Sequence, residues 1–274
     1  MTPTFTLTPE QREEFARRGV LRLEGLLSAQ SVQRARGVVL TRLEQLGLWK
    51  DAAWHLDGRP RPEYPDSGLK TSKAVGNKRP EFEALLDEPG LRRVVDALLE
   101  GRPFDRTIYR RPMLLFTLPN IEQWVLPPGR HVDAPRLASG RWPGVQMFAC
   151  LDHVAPRGGG TLVIAGSHKL LNDGRHIRAR ELHRLLGSED FFRRIWGKRP
   201  ISVDDDDALP CGAVDNVALE VMELTGAPGD TWLMDLRVLH SGAPNAADRP
   251  RMMITHRFIC ADLVGEVAEA NGWR

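Results

Sequence analysis

The sequence predicts a mainly β protein with flanking helices, its strands forming a sandwich or barrel. Three observations carry this expectation. From residue 106 onward, short apolar runs recur at 106–118, 121–126, 145–151, 161–165, 230–236 and 252–259. Proline and glycine clusters such as Pro127-Pro128-Gly129 and Ala227-Pro228-Gly229 punctuate them, as turns between short strands require. The first hundred residues instead carry the helical period. No linker-like stretch separates the two textures, so helices packed around one β core are expected rather than two domains.

The elements follow in order. Thr8-Pro9-Glu10 reads as an N-cap, a proline at the first helical position and an acid in the first turn, opening a helix that Gly19 closes. Val20-Leu21-Arg22-Leu23 is a short strand-like run. Ser28 caps a second helix, with Val32, Ala35, Val39, Leu43 and Leu46 at helical spacing and Gly47 as its stop. Residues 51–80, rich in Gly, Pro, Asp and Lys, read as a surface segment of a length that is uncommon unless it covers a site. Residues 80–99 hold two short helices, interrupted at Pro89-Gly90. The strands then begin, with a helical stretch at 179–196 and an acidic run at 204–207 between them.

Composition narrows the function classes. Lys+Arg 38 against Asp+Glu 36 leaves a net charge of +2, and the basic residues are scattered among acids, so nothing marks a polyanion-binding stripe. No uncharged run approaches the roughly 18–20 apolar residues of a membrane span. The start lacks the basic-then-apolar layout of a secretory signal. Cys150, Cys211 and Cys260 are odd in number and far apart, which argues against a disulfide framework or a cysteine zinc site and fits a reducing, cytoplasmic setting. No nucleic-acid or membrane partner is expected. A small-molecule substrate is, with the chain a monomer or weak homo-oligomer.

The familiar nucleotide and hydrolase motifs fail. Gly158-Gly159-Gly160 does not complete a dinucleotide fingerprint, no GxxxxGK[ST] or GxSxG occurs, and the Asp204 run lacks the glycine and glutamate of a calcium loop. The histidines say more. His131-Val132-Asp133 places an imidazole and a carboxylate on one face of an extended segment. Chance alone supplies about one His-x-acid pair in a chain of this composition. A second feature raises its weight: His240 follows the apolar run at 230–236, and Arg251 opens the run Arg251-Met-Met-Ile-Thr-His-Arg-Phe-Ile. Two His and one Asp form the facial set that suits non-heme Fe(II), with three coordination positions open. An arginine at the start of an interior strand calls for an anionic partner, and its planar fork matches a carboxylate. Metal and arginine together suggest a chelating keto-diacid.

The order His131-x-Asp133, His240 and Arg251 eleven residues later resembles the phytanoyl-CoA dioxygenase family. The opening Leu7-Thr8-Pro9-Glu10-Gln11 with Gly19-Val20 and Gly25-Leu26-Leu27-Ser28 is similar to that family. So are Gly158-Gly159-Gly160-Thr161-Leu162 with Ala165-Gly166-Ser167-His168, and His240 to Asn245 followed by Asp248-Arg249-Pro250-Arg251. Ala165 stands where the family has proline, and Gly242 where a hydroxyl residue is common. The resemblance implies a double-stranded β-helix (jelly-roll, cupin-like) core and a single oxygenase domain over residues 1–274. Within it, 1–105 form a mostly helical flank and 106–260 the core, with a helical or loop insertion at about 170–225.

It further implies an Fe(II)/2-oxoglutarate-dependent dioxygenase that oxidises a small organic metabolite and releases succinate and CO2. His131, Asp133 and His240 are the expected metal ligands and catalytic centre. Arg251 is expected to bind the far carboxylate of 2-oxoglutarate, with Ser241 or Thr255 completing that site, and O2 is the remaining cosubstrate. Asp133 in the position that is small in the related halogenases favours hydroxylation or another oxidation over halogenation. Two rivals use the same fold: a cupin-like metal hydrolase or isomerase without 2-oxoglutarate, for which Arg251 would be superfluous, and a non-catalytic β-helix binding protein. His168 is expected to serve a structural turn, His153 and His256 the core or rim, and His55, His176 and His183 the surface. Trp124, Trp142, Met147 and Phe148 are expected in the core, and Lys70, Lys73 and Lys78 on a solvated loop.

Overall fold

A computed structural model describes residues 5–56, 72–73, 75–105, 108, 111–128, 130–134, 136–170, 179–196, 201–202 and 208–272. Its elements run α1 (Pro9–Arg18), β1 (Val20–Leu23), α2 (Ala29–Gln45), β2 (Trp49–Lys50), β3 (Ala53–Trp54), α3 (Pro80–Leu85), α4 (Pro89–Leu98), β4 (Met113–Thr117), β5 (Val125–Leu126), β6 (Gly144–Cys150), β7 (Leu162–Ala165), α5 (Ala179–Leu186), α6 (Asp190–Ile195), β8 (Ile201–Ser202), β9 (Cys211–Val214), β10 (Val217–Glu223), β11 (Thr231–Asp235), β12 (His240–Ser241), β13 (Arg251–Ile259) and α7 (Val264–Asn271).

Local chemistry explains the helix ends. Thr8 and Gln11 form a reciprocal capping box, each side chain bonded to the other's backbone N–H, and Gly19 ends α1 in the left-handed conformation at φ 72°. Ser28 accepts from the Ser31 N–H to start α2. Pro89, which lacks a backbone N–H, opens α4 instead of extending α3.

Two antiparallel sheets face each other. The larger has the order β1-β11-β6-β13-β4 and the smaller β12-β7-β10-β9. A bridge between His131 and His240 adds one more rung beside β12. This is a double-sheet jelly roll with helices outside it, the mainly β fold with flanking helices that the sequence predicts. Strand alternation sorts the apolar residues into three layers. Val145, Met147, Ala149, Met252, Ile254 and Phe258 face outward onto the helical flank. Phe148, Cys150, Met253, Trp232 and Met234 meet Val163 and Ala165 between the sheets. Leu162, Ile164, Leu219 and Val221 cover α5 and α6 on the far side. Because β6 is covered on both faces, all seven of its residues are buried.

One expectation needs correction. The insertion expected to run to about residue 225 ends sooner, because β9 and β10 at 211–223 pair with each other and join β7. The turn between them is Asp215-Asn216, both at positive φ (49° and 62°), as a two-residue hairpin demands. The segment 179–196 is helical, as expected, and holds two helices, α5 and α6.

Candidate metal centre

The site starts from one pair of backbone hydrogen bonds. His131 N–H donates to the His240 carbonyl and His240 N–H to the His131 carbonyl, both at 2.9 Å. Residues that exchange both bonds in an antiparallel pair present their side chains on the same face. The two rings accordingly lie side by side, centroids 4.2 Å apart. Asp133 lies two residues beyond His131, and its N–H is tied to the Leu236 carbonyl at 3.1 Å. His131 Nε2 lies 3.9 Å from Asp133 Oδ1, and His240 Nε2 lies 3.4 Å from Asp133 Oδ2. The ligand atoms of these three residues fall within 4.8 Å of one another, and among the described residues no other such group of metal-ligating side chains gathers.

The donors suit a divalent cation. The Val238 carbonyl, which can only accept, lies 3.0 Å from His240 Nδ1, so Nδ1 carries a proton and Nε2 faces Asp133. With Nδ1 protonated, Nε2 of the neutral imidazole and the carboxylate oxygen are both electron-pair donors, and a metal cation or a proton sits favourably between them. Asp133 Oδ2 is buried and has no hydrogen-bond partner, while Oδ1 accepts from Arg257 Nη2 at 2.6 Å. Burial alone would raise the Asp133 pKa, but His240 and Arg257 outweigh it and hold the carboxyl well below the usual carboxylate range. Desolvation, with His240 alongside, lowers the His131 pKa to about 4, although more than half of the side chain remains exposed. Two imidazoles and an ionised carboxylate fit a first-row divalent metal and leave room for further ligands.

Arg251 opens β13, buried, opposite Thr117 of β4. By alternation it shares the inner face of β13 with Met253, Thr255 and Arg257. It lines a cavity of ≈ 690 Å³ together with Lys73, Asn77, Thr117 and Gly242, and the last of these lies two residues from His240. Thr255 is also on this inner face. Its hydroxyl donates to the Met147 carbonyl at 2.8 Å and accepts from Gln146 Nε2 at 2.8 Å. Ser241 is not brought to the site. It pairs with Leu162, whereas His240 pairs with Val163, so the two successive side chains point to opposite faces and Ser241 turns toward the outer apolar layer.

Neighbouring segments act as supports. Ser167 Oγ accepts the Leu239 N–H at 2.9 Å, immediately before His240. The buried Arg136 donates to the carbonyls of Ser167, Leu170 and Arg237, and burial lowers its pKa to about 10. His168 Nε2 meets the Ala16 carbonyl at 3.2 Å and packs under Gly19, a structural placement. Asn245 donates to the carbonyls of Thr117 and Arg249, which fixes the turn that delivers Arg251. Phe148 stands on the inner face, 6.3 Å from the His240 ring, while Met147 and Trp142 pack with the helical flank and Trp124 with the outer layer. His256 is buried beside Phe258, and His153, His55, Lys73 and Lys78 are exposed. His176, Lys70, the acidic run 204–207 and the side chain of His183 lie outside the described residues. Sequence reading missed Arg257 and Gln146. Period-two alternation counted from Arg251 would have placed Arg257 on the inner face.

Comparison with known proteins adds lineage. The family model described as Phytanoyl-CoA dioxygenase (PhyH) matches residues 15–253. No curated protein matches by sequence. Among solved structures, the chain is similar to the non-heme alpha ketoglutarate dependent carbocyclase SnoK from nogalamycin biosynthesis (TM-score 0.57, 16% identity, covering 95% of this chain and 88% of that one). It is similar to AviO1 from Streptomyces viridochromogenes Tue57 (0.53, 21%, 93% and 96%). It is also similar to HygX from Streptomyces hygroscopicus, solved with nickel and 2-oxoglutarate bound (0.54, 16%, 93% and 88%). At these identities the likeness is one of fold.

Proposed function

The chain belongs to the phytanoyl-CoA dioxygenase family, and from that premise we propose that it is an Fe(II)/2-oxoglutarate-dependent oxygenase that hydroxylates a small organic metabolite. One observation carries the reading: His131, Asp133 and His240 converge within 4.8 Å, with a buried carboxylate oxygen that no protein group satisfies. When bound, Fe(II) with 2-oxoglutarate and O2 supplies the oxidising chemistry, releasing succinate and CO2.

The chain's own residues bind, orient and exclude water. His131, Asp133 and His240 would hold the metal, three protein ligands that leave further positions for cosubstrate. The Val238 carbonyl keeps His240 Nε2 turned toward the metal. Arg251 pairs through its guanidinium fork with the far carboxylate of 2-oxoglutarate. Thr255 offers that carboxylate little, since its proton is already donated to Met147, and Ser241 faces away. Phe148, Met253 and Leu115 form an apolar wall between the sheets that keeps water from the reacting centre. The ≈ 690 Å³ cavity, with Ser72 and Lys73 at its rim, is of the size that takes a small molecule. The retained carboxylate of Asp133 favours oxygen transfer over halogenation. Residues 1–274 act as one oxygenase domain, since the helical flank and the sheets bury a common apolar layer.

Succinate release tests the reading. Purified protein is expected to convert 2-oxoglutarate to succinate only with Fe(II) and O2 present, and His131→Ala, Asp133→Ala or His240→Ala should abolish this while far-UV circular dichroism is unchanged. Full activity in any of the three would refute the metal assignment. Activity without 2-oxoglutarate would favour a hydrolase or isomerase on the same ligands.

A further inference from the structure

Arg257, on the inner face of β13, touches the metal-binding set through Asp133, and neither metal binding nor 2-oxoglutarate binding as proposed requires it. Its Nη2 donates to Asp133 Oδ1 at 2.6 Å, with the Arg257 side chain mostly and the Asp133 side chain almost wholly buried. The two oxygens of Asp133 therefore differ. Oδ1 is engaged by a guanidinium, whereas Oδ2 has no hydrogen-bond partner and faces His240 Nε2 at 3.4 Å. A carboxylate free to rotate can bind a divalent cation through one oxygen or both, and a charge-assisted bond to one of them removes that choice.

We propose that Arg257 is a positioning residue that holds Asp133 as a one-oxygen ligand through Oδ2, and so keeps three metal positions open. Three matter because a keto acid takes two and O2 needs the third; a two-oxygen Asp133 would leave only two. Arg257 is well placed for this. It lies six residues from Arg251 on the same strand face, so one strand supplies a cation at each end of the inner face. Its strand is held on both sides, by β6 and by β4. Its backbone partner Gln146 lies on the same face and is itself anchored to Thr255 at 2.8 Å. Arg257 itself is thus held by a strand rung with β6, and the β4 pairing reaches along the same strand as far as Thr255.

This inference rests on the metal reading, and the test separates the two. Mn(II) is loaded into the protein without 2-oxoglutarate, and the longitudinal relaxation of water protons reports the number of exchanging water ligands. Wild type should show the relaxivity of three waters. Arg257→Met should lose about one third of it, as two waters remain when both Asp133 oxygens bind. Arg257→Lys, which keeps a cation and a donor, should restore most of the signal. Mn(II) affinity, measured by titration, should stay within about tenfold of wild type in both variants, because the three ligands are intact. Unchanged relaxivity in a folded, Mn(II)-loaded Arg257→Met would overturn the positioning role and leave the metal reading standing. Should Arg257→Met fail to fold, Arg257→Gln replaces it, with the same one-third loss expected and an unchanged value counting against the role. A wild type that binds no Mn(II), or binds it equally well after His240→Ala, would overturn both.

Discussion

At the scale of single residues, the electrostatics of the site rest on a few charges that work locally. Arg251→Leu removes the fork proposed to pair with 2-oxoglutarate, and charge-assisted bonds of that kind contribute about 1.5–3 kcal/mol. The expected result is a rise of about 10- to 100-fold in the 2-oxoglutarate concentration needed for half-maximal succinate release, with Mn(II) affinity unchanged. An unchanged requirement would reject the anchoring role. Much at this scale was legible beforehand. His131, Asp133, His240 and Arg251 announce themselves by spacing and by the strands that flank them. Ser241 did not yield to the same reading, because a residue adjacent to a ligand on a strand necessarily points the other way. Arg257 was hidden for the opposite reason. It reads as one more arginine among 38 basic residues until strand alternation and the fold at 131–133 bring it to Asp133.

At the scale of elements, the structure depends on backbones that approach closely. Gly144 begins β6 at φ 140°, and a Cβ there would lie 2.1 Å from the Phe258 carbonyl oxygen of the paired strand β13. Neither backbone can withdraw without breaking the ladder. Gly144→Ala is therefore expected to cost about 3 kcal/mol or more, read as a drop in the urea midpoint. Gly37, inside α2 with open space where its Cβ would lie, provides the contrast: Gly37→Ala should stabilise by about 0.5–1 kcal/mol. Equal effects at the two positions would contradict the packing described. The helices were readable because capping is local chemistry, as Thr8, Gly19, Ser28 and Pro89 each demonstrate. The hairpin of β9 and β10 was not. Its turn, Asp215-Asn216, lies beyond an acidic run, and only the alternation of Val217, Leu219 and Val221 marked it as strand. Nothing local shows that β10 pairs with β7, some fifty residues earlier.

At the scale of the whole molecule, the N-terminal flank is bolted to the jelly roll through Asp230. Its carboxylate accepts from Arg22 Nη2 at 2.7 Å, from the Gly25 N–H at 2.9 Å and from the Ala227 N–H at 2.9 Å. Burial would raise its pKa, but the Arg22 bond and the two backbone N–H groups outweigh that and set it below the usual carboxylate value. A carboxyl whose folded pKa is depressed contributes stability above its unfolded pKa of about 4 and loses it as pH falls through the folded value. Asp230→Asn should thus cost about 1–3 kcal/mol at pH 7, with the gap to wild type narrowing below pH 4. A pH-independent gap in denaturation midpoints would show that the charge is not what matters.

The pairing of His131 with His240 has a consequence in time. The two residues are 109 positions apart in the chain, yet one rung of the sheet joins them. Contacts of such sequence separation form late, after the chain has closed many shorter loops. A metal ion bound at that rung is therefore expected to slow unfolding more than it speeds folding, a difference that unfolding and refolding rates measured with and without Mn(II) would show.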